Sequence, residues 1–244
     1  MKKSFLILAS CFCALVSVAQ DINKFRFGVH LSPGLSWMPA SHRDIESNGL
    51  QMNFGVGMMG EYNFTDNYAI IFGLNYVFNN GGGVKYSKAG QYLEQRGSFS
   101  DGLNSYLTTQ NNILPAGSTI NYSQDVLQLP IGLKMRTNEI GSTFIRGFAQ
   151  LPVLTFEIPT SNKIDLNTGS QSFSGEAAYG EVLPIAMKIG GAVGAEYYPN
   201  DTKLAIIAGL HFNAGLIDVT KNYGTTGGYR SVVTDITLRF GVLF

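Results

Sequence analysis

An alternation of apolar and polar residues, renewed eight times behind the first twenty positions, constrains this chain more than any other feature of its 244 residues. The last stretch, Ser231 to Phe244, shows it most cleanly. Val232, Thr234, Ile236, Leu238, Phe240, Val242 and Phe244 fall on one side of an extended strand; Ser231, Val233, Asp235, Thr237, Arg239, Gly241 and Leu243 fall on the other. One face suits hydrocarbon, while the other carries charge and glycine.

Seven earlier segments repeat that polarity. The first runs from Phe25 to near Trp37, with Val29 and Leu31 opposite Arg26 and His30. The second sets Leu50, Phe54, Met58 and Tyr62 against Gln51, Asn53 and Glu61, and the third sets Tyr68, Ile70, Phe72, Tyr76 and Phe78 against Ala69, Gly73 and Asn75. Gly81-Gly82-Gly83 reads as a hinge opening a long polar loop over about 81–122. The fourth strand carries Leu127 to Met135 opposite Gln128, Lys134 and Arg136. The fifth and least regular places Ile145, Ala149, Leu151 and Val153 against Arg146, Phe148 and Gln150, followed by a polar loop from Pro159 to Gly180. The sixth places Met187, Ile189, Val193 and Tyr197 against Lys188 and Glu196; the seventh places Leu204, Ile206, Leu210 and Phe212 against Lys203, His211 and Asn213.

The connections alternate long, short, long, short, long, short, long. Outer-membrane barrels show this asymmetry between extracellular loops and periplasmic turns. Charged residues make up only 14% of the chain, against roughly 25% in soluble domains, so few remain to coat a water-facing surface. With 12 tyrosines and 16 phenylalanines, two aromatic girdles are expected: Phe25, Tyr62, Tyr68, Tyr197, Phe240 and Phe244 on the turn side, and Trp37, Tyr76 and Phe78 on the loop side. A soluble barrel would have to pack these apolar rows into a lumen that eight strands barely leave open. No stretch after the first twenty residues approaches 18 consecutive apolar positions, which leaves a closed β barrel as the way to span a bilayer. The expected fold is therefore all-β: an eight-stranded antiparallel up-and-down transmembrane β-barrel over residues 20–244, with both ends at the periplasm.

Residues 1–19 carry Lys2 and Lys3, an apolar run from Phe5 to Val16 and a Ser17-Val18-Ala19 exit, the layout of a secretory signal peptide. Leu8-Ala9-Ser10-Cys11 looks like a lipoprotein box, but the apolar run before it is too short. Cys11 and Cys13, the only cysteines, would leave with the peptide, so neither disulfides nor thiol chemistry is expected. Removing Lys2 and Lys3 from the 17 basic residues leaves 15 against 17 acidic, which argues against a nucleic-acid partner.

Two sequence features resemble known groups. The terminal strand ending on Phe240 and Phe244 resembles the signal by which outer-membrane barrels are recognised by their assembly machinery, implying that partner during insertion. Leu127-Gln128-Leu129-Pro130-Ile131-Gly132-Leu133-Lys134, followed by Thr137-Asn138-Glu139-Ile140-Gly141, resembles the strand and turn of the PorT-like outer-membrane β-barrel proteins of Bacteroidetes-type bacteria. That resemblance implies an outer-membrane location and, for the founding member's role, an accessory part in type IX secretion.

Inward positions gather Arg26, Glu61, Lys134, Arg136, Arg146, Glu196, His211, Asp235 and Arg239. A bare charge in a narrow lumen costs several kcal/mol, roughly, so these are expected to pair, with Glu61, Glu196 and Asp235 accepting bonds from Arg26, Arg136 and Arg239. The competing readings are a narrow anion path along Lys134, Arg136 and Arg146, or a rim enzyme modifying lipid. His211 beside Asp235 could suggest a base and its orienter, yet both are expected near mid-barrel, away from any rim. His30 and His42 lack metal-ligand spacing and no phosphate-cradling motif is present, so no catalytic, metal or cofactor residues are assigned. The expectation is a non-enzymatic barrel that contacts outer-membrane lipids and lipopolysaccharide, with loops available to an extracellular or secretion-system partner.

Overall fold

A computed structural model describes residues 24–39, 43–94, 97–141, 143–199, 204–220 and 231–244. The expected signal peptide, His42 and Lys203 lie outside the described residues. Among the described residues ten strands and one helix follow in order: β1 (Phe25–Trp37), β2 (Ile45–Ser47), β3 (Gln51–Asn63), β4 (Tyr68–Tyr86), α1 (Asp101–Thr109), β5 (Thr119–Arg136), β6 (Ile145–Asn167), β7 (Ser172–Ala177), β8 (Ala186–Tyr197), β9 (Ala205–Gly215) and β10 (Thr234–Leu243). Eight of them, β1-β3-β4-β5-β6-β8-β9-β10, pair in sequence and antiparallel, and β10 returns to β1. Val29 sits opposite Val242 across this seam, and Phe27 and Phe244 exchange backbone hydrogen bonds of 3.0 and 2.7 Å there. Closure leaves none of the eight barrel strands at an edge, and β2 and β7 extend the wall by pairing on one side with β4 and β6.

Period-two alternation sets which rows face out. Val29, Leu31, Phe54, Phe72, Leu133, Ile189, Leu210 and Phe240 are all exposed on the outer surface, while His30, Glu61, Lys134, Lys188 and Asp235 are buried inside. Of the girdle residues, Phe25, Tyr68, Tyr197, Phe240, Phe244 and Phe78 are exposed and Trp37, Tyr62 and Tyr76 half-buried. Phe25 packs on Tyr62 at 4.7 Å at the turn end, and Tyr76 on Phe78 at 4.8 Å toward the loops. Ten tilted residues between such levels span about 25 Å, the height of a barrel's apolar band.

Three strands depart from expectation. First, Gly81–Gly83 is not a loop hinge: it lies inside β4, paired with Asn121 to Ser123. A Cβ on Gly82 would lie 2.6 Å from the Met38 nitrogen, so the backbones meet where only glycine fits. Second, β5 begins at Thr119 rather than Leu127, and β6 runs on to Asn167 through the expected Pro159–Gly180 loop. Third, Val153 points inward rather than outward, because a bulge between Gln150 and Val153 moves the apolar row onto Leu154, Phe156 and Ile158.

Two further bulges, between Val77 and Asn80 in β4 and between Pro159 and Ser161 in β6, mark a change of environment. Beyond them the sheet inverts its polarity. Val84, Tyr86, Ile120, Tyr122, Ile164 and Leu166 now turn inward and are buried. They pack with Leu103 and Leu107 of α1 and with Met38, Leu93, Leu114, Val182, Val219 and Val233, so all four long connections share one apolar core. Ser100 caps α1 by accepting from the Leu103 N–H at 3.3 Å. The Glu176 carboxylate of β7 accepts from both the Ser100 N–H and its hydroxyl at 2.7 Å, fastening helix to wall. The expected loop over 81–122 is therefore part of a folded cap above the barrel.

Candidate functional site: the charged lumen

The inward rows assemble two charge clusters. At the turn end, β3 contributes Glu61, β5 Lys134 and Arg136, β8 Glu196 and β1 Arg26. The Lys134 ammonium bridges both carboxylates, and the Arg136 guanidinium donates to Glu61 and, at 3.0 Å, to Glu196. Arg26 lies 3.4 Å from each carboxylate and 3.1 Å from the Tyr198 hydroxyl, which itself donates to Glu196. Arg136 also donates to the Asn63 side-chain oxygen at 2.7 Å. Burial, and then the neighbouring Glu196 carboxylate, push the Tyr198 hydroxyl up to about 12.

At the loop end, Lys188 of β8 bonds Asp235 of β10 at 2.6 Å and Glu157 of β6 at 2.9 Å. Gln128 donates to Glu157 at 2.6 Å and Asn213 to Asp235 at 2.8 Å. Between the clusters, His30 bonds Ser32 at 3.0 Å and Asn75 at 2.9 Å, and Arg239 lines two small cavities of about 20 Å³ each. Each has room for about one water.

Arg26, Glu61, Lys134, Arg136 and Glu196 thus meet in one cluster. The expected bond from Arg239 to Asp235 is not formed: Asp235 is held by Lys188 and Asn213 instead. Asp235 and Arg239 lie four apart on one strand, too far along it to touch. Arg146 stands apart at the turn-end rim, bonded to the half-exposed Glu139 at 3.1 Å with the Tyr198 ring 5.4 Å from its guanidinium carbon. His211 is buried opposite Thr237 while Asp235 pairs with Asn213 nearer the loops, so they do not form a base and its orienter. Among the described residues no group of three or more His, Cys, Asp or Glu could hold a metal ion.

Lys188 stands on the inward row as alternation places it, and Glu157 is the loop-end partner that simple alternation obscures. Counting parity from Ile145 puts Glu157 outward; the apolar row's switch to Leu154, Phe156 and Ile158 after Pro152 is the signal that restores it.

Residues 18–221 match the family described as outer membrane protein beta-barrel domain. The chain belongs to that family. Its location is accordingly the outer membrane, and the exposed apolar belt faces lipid. Among solved structures, the neisserial surface protein NspA is 12% identical with a TM-score of 0.42, over 89% of this chain and 95% of that one. Ail of Yersinia pestis is 10% identical with a TM-score of 0.40, over 91% and 99%. OprG of Pseudomonas aeruginosa is 10% identical with a TM-score of 0.37, over 91% and 95%. No curated protein matches.

Proposed function

We propose that this outer-membrane barrel is closed, non-conducting and non-enzymatic, and acts through its extracellular face. The observation that carries the reading is the turn-end cluster: Glu61, Glu196, Lys134 and Arg136 have side chains no more than 2% exposed and reach one another across the lumen from three strands. A permeating ion would have to separate charges whose uncompensated burial costs several kcal/mol, roughly, each. The folded cap at the loop end adds a second barrier. Purified protein in planar bilayers is expected to give no unitary current steps; steady single-channel steps from the unmodified protein would refute the plug.

Export by the segment 1–19 and recognition of Phe240 and Phe244 by the assembly machinery belong to the same reading. The PorT-like stretch Leu127 to Lys134 favours a second reading, an accessory role in secretion. Deletion should then deplete secreted cargo from the medium while the barrel's own lumen stays closed.

A further inference from the structure

Outside the barrel wall, just above the Tyr76–Phe78 aromatic pair, lies a cleft of about 520 Å³ that the closed lumen does not account for. Its floor is the polar outer face of the extended strands. Gly83 of β4, Asn121 of β5 and Asp165 of β6 form one cross-strand row, and Ser123 and Lys163 form part of the next. Asn48 and Gln51 wall one side and Gly175, in β7, the other. Gly83 makes the recess possible, since a Cβ there would stand 2.2 Å from the Asn121 side-chain oxygen and 2.4 Å from the Asn48 carbonyl.

Internal bonds hold the cleft's shape. Asn79 accepts from Gln51 and Ser123 at 2.6 Å each and donates to the Met52 carbonyl at 2.7 Å. Asn48 donates to Asn121 at 3.3 Å, and Asp165 accepts from the Gly175 N–H at 2.7 Å. Among the described residues, the Asn48 and Gln51 side-chain oxygens, the Asn121 amide nitrogen, the Lys163 ammonium and the second Asp165 oxygen make no hydrogen bond, and all five residues line the cleft.

We infer that this cleft binds a carbohydrate. Donors and acceptors are mixed, the two charges cancel, and the exposed Leu50 adds one apolar wall: a phosphate would meet Asp165, a metal ion would meet Lys163, and a wholly apolar ligand would strip water from amides without replacing its bonds. Sugar hydroxyls both donate and accept, which matches the residual set. The volume falls in the range of small-ligand sites, and a protein partner would need a far wider contact. The cleft opens outward immediately beyond the lipid-facing belt, at the depth of glycolipid headgroups, so the sugar comes either from a neighbouring lipopolysaccharide or from a soluble glycan. This inference rests on the reading that the outer surface does the work, and is independent of whether the lumen conducts.

The test is calorimetric titration of the full chain in nanodiscs with deacylated lipopolysaccharide oligosaccharide, with intact lipopolysaccharide supplied in the disc, and with inorganic phosphate. Saturable binding of oligosaccharide, weakened about tenfold by Lys163→Ala and again by Gln51→Ala, is expected, in keeping with the loss of one hydrogen-bonded group at each step. Equal affinity for free and lipid-borne sugar identifies a soluble glycan; tighter binding of the intact glycolipid, still sensitive to both substitutions, identifies a neighbouring headgroup. Heat-modifiable gel migration verifies that both variants fold. No binding by either sugar probe, binding indifferent to both substitutions, or full competition by phosphate would overturn the inference, whatever the bilayer recordings show.

Discussion

Glu196 illustrates how much of this molecule rests on single charges. Three cations, Arg26, Lys134 and Arg136, surround it and Glu61, so the turn-end cluster already carries one more positive charge than negative. Glu196→Gln would leave three desolvated cations sharing one carboxylate, and a loss of about 3–5 kcal/mol is expected. Urea titration of heat-modifiable migration reads this directly as an earlier midpoint. Adding Lys134→Met should recover part of the loss by removing a cation along with its partner; an unshifted midpoint in the single variant would mean the cluster is solvated. The charged residue types on the inward face could be read from alternation, because an odd or even position fixes the side of the sheet. Their partners could not: Asp235 shares a strand with Arg239 but meets Lys188 from β8, two strands away, at a level set by the register on either side of β9.

At the scale of elements, the bulges decide more than the alternation does. Each inserts an offset that moves every later side chain to the opposite face, as Val153 and Glu157 show in β6. In β4 and β6 the offset coincides with the top of the lipid-facing belt, where a sheet must stop presenting hydrocarbon outward and begin burying it inward; β5 keeps its parity, and there the apolar residues themselves change rows. Ile120 with Tyr122, and Ile164 with Leu166, carried the same period-two signal as the barrel strands, but on the other parity and amid polar neighbours they read as loop. Gly82 belongs to this level too. Gly82→Val should push the start of the first long connection away from β4 and separate the cap from the wall, with loss of cap ordering and little change in the barrel. Hydrogen exchange would register faster exchange at Ile120 and Tyr122 and unchanged protection at Leu133 and Ile189; uniform protection throughout would contradict the close approach.

The whole molecule has two solvents and two opposite cores: lipid outside a polar lumen below, water outside an apolar cap above. A long connection over 81–122 would invite proteolysis on intact cells if it were a bare loop. Because Leu103, Leu107 and Leu114 are fully buried, thermolysin is expected to leave residues 97–120 intact, and Leu107→Glu to expose them to rapid cutting. Equal cutting of both proteins, followed by mass spectrometry of the fragments, would mean that the cap does not hold together in the membrane. Membership in the outer-membrane family fixes which solvent meets the lower belt, and the polarity inversion fixes how far up that belt extends.

Local chemistry determined the eight strands of the barrel, the side of the sheet that faces lipid and the alternation of long and short connections, because a side-chain period of two and the cost of unpaired backbone in a bilayer leave a chain of this pattern one architecture. Tertiary structure alone decided which carboxylate meets which cation, where the faces exchange and that four connections fold into one cap. These outcomes depend on register across strands up to 170 positions apart, as for Arg26 and Glu196, and register is set by bulges and closure rather than by neighbours in the sequence.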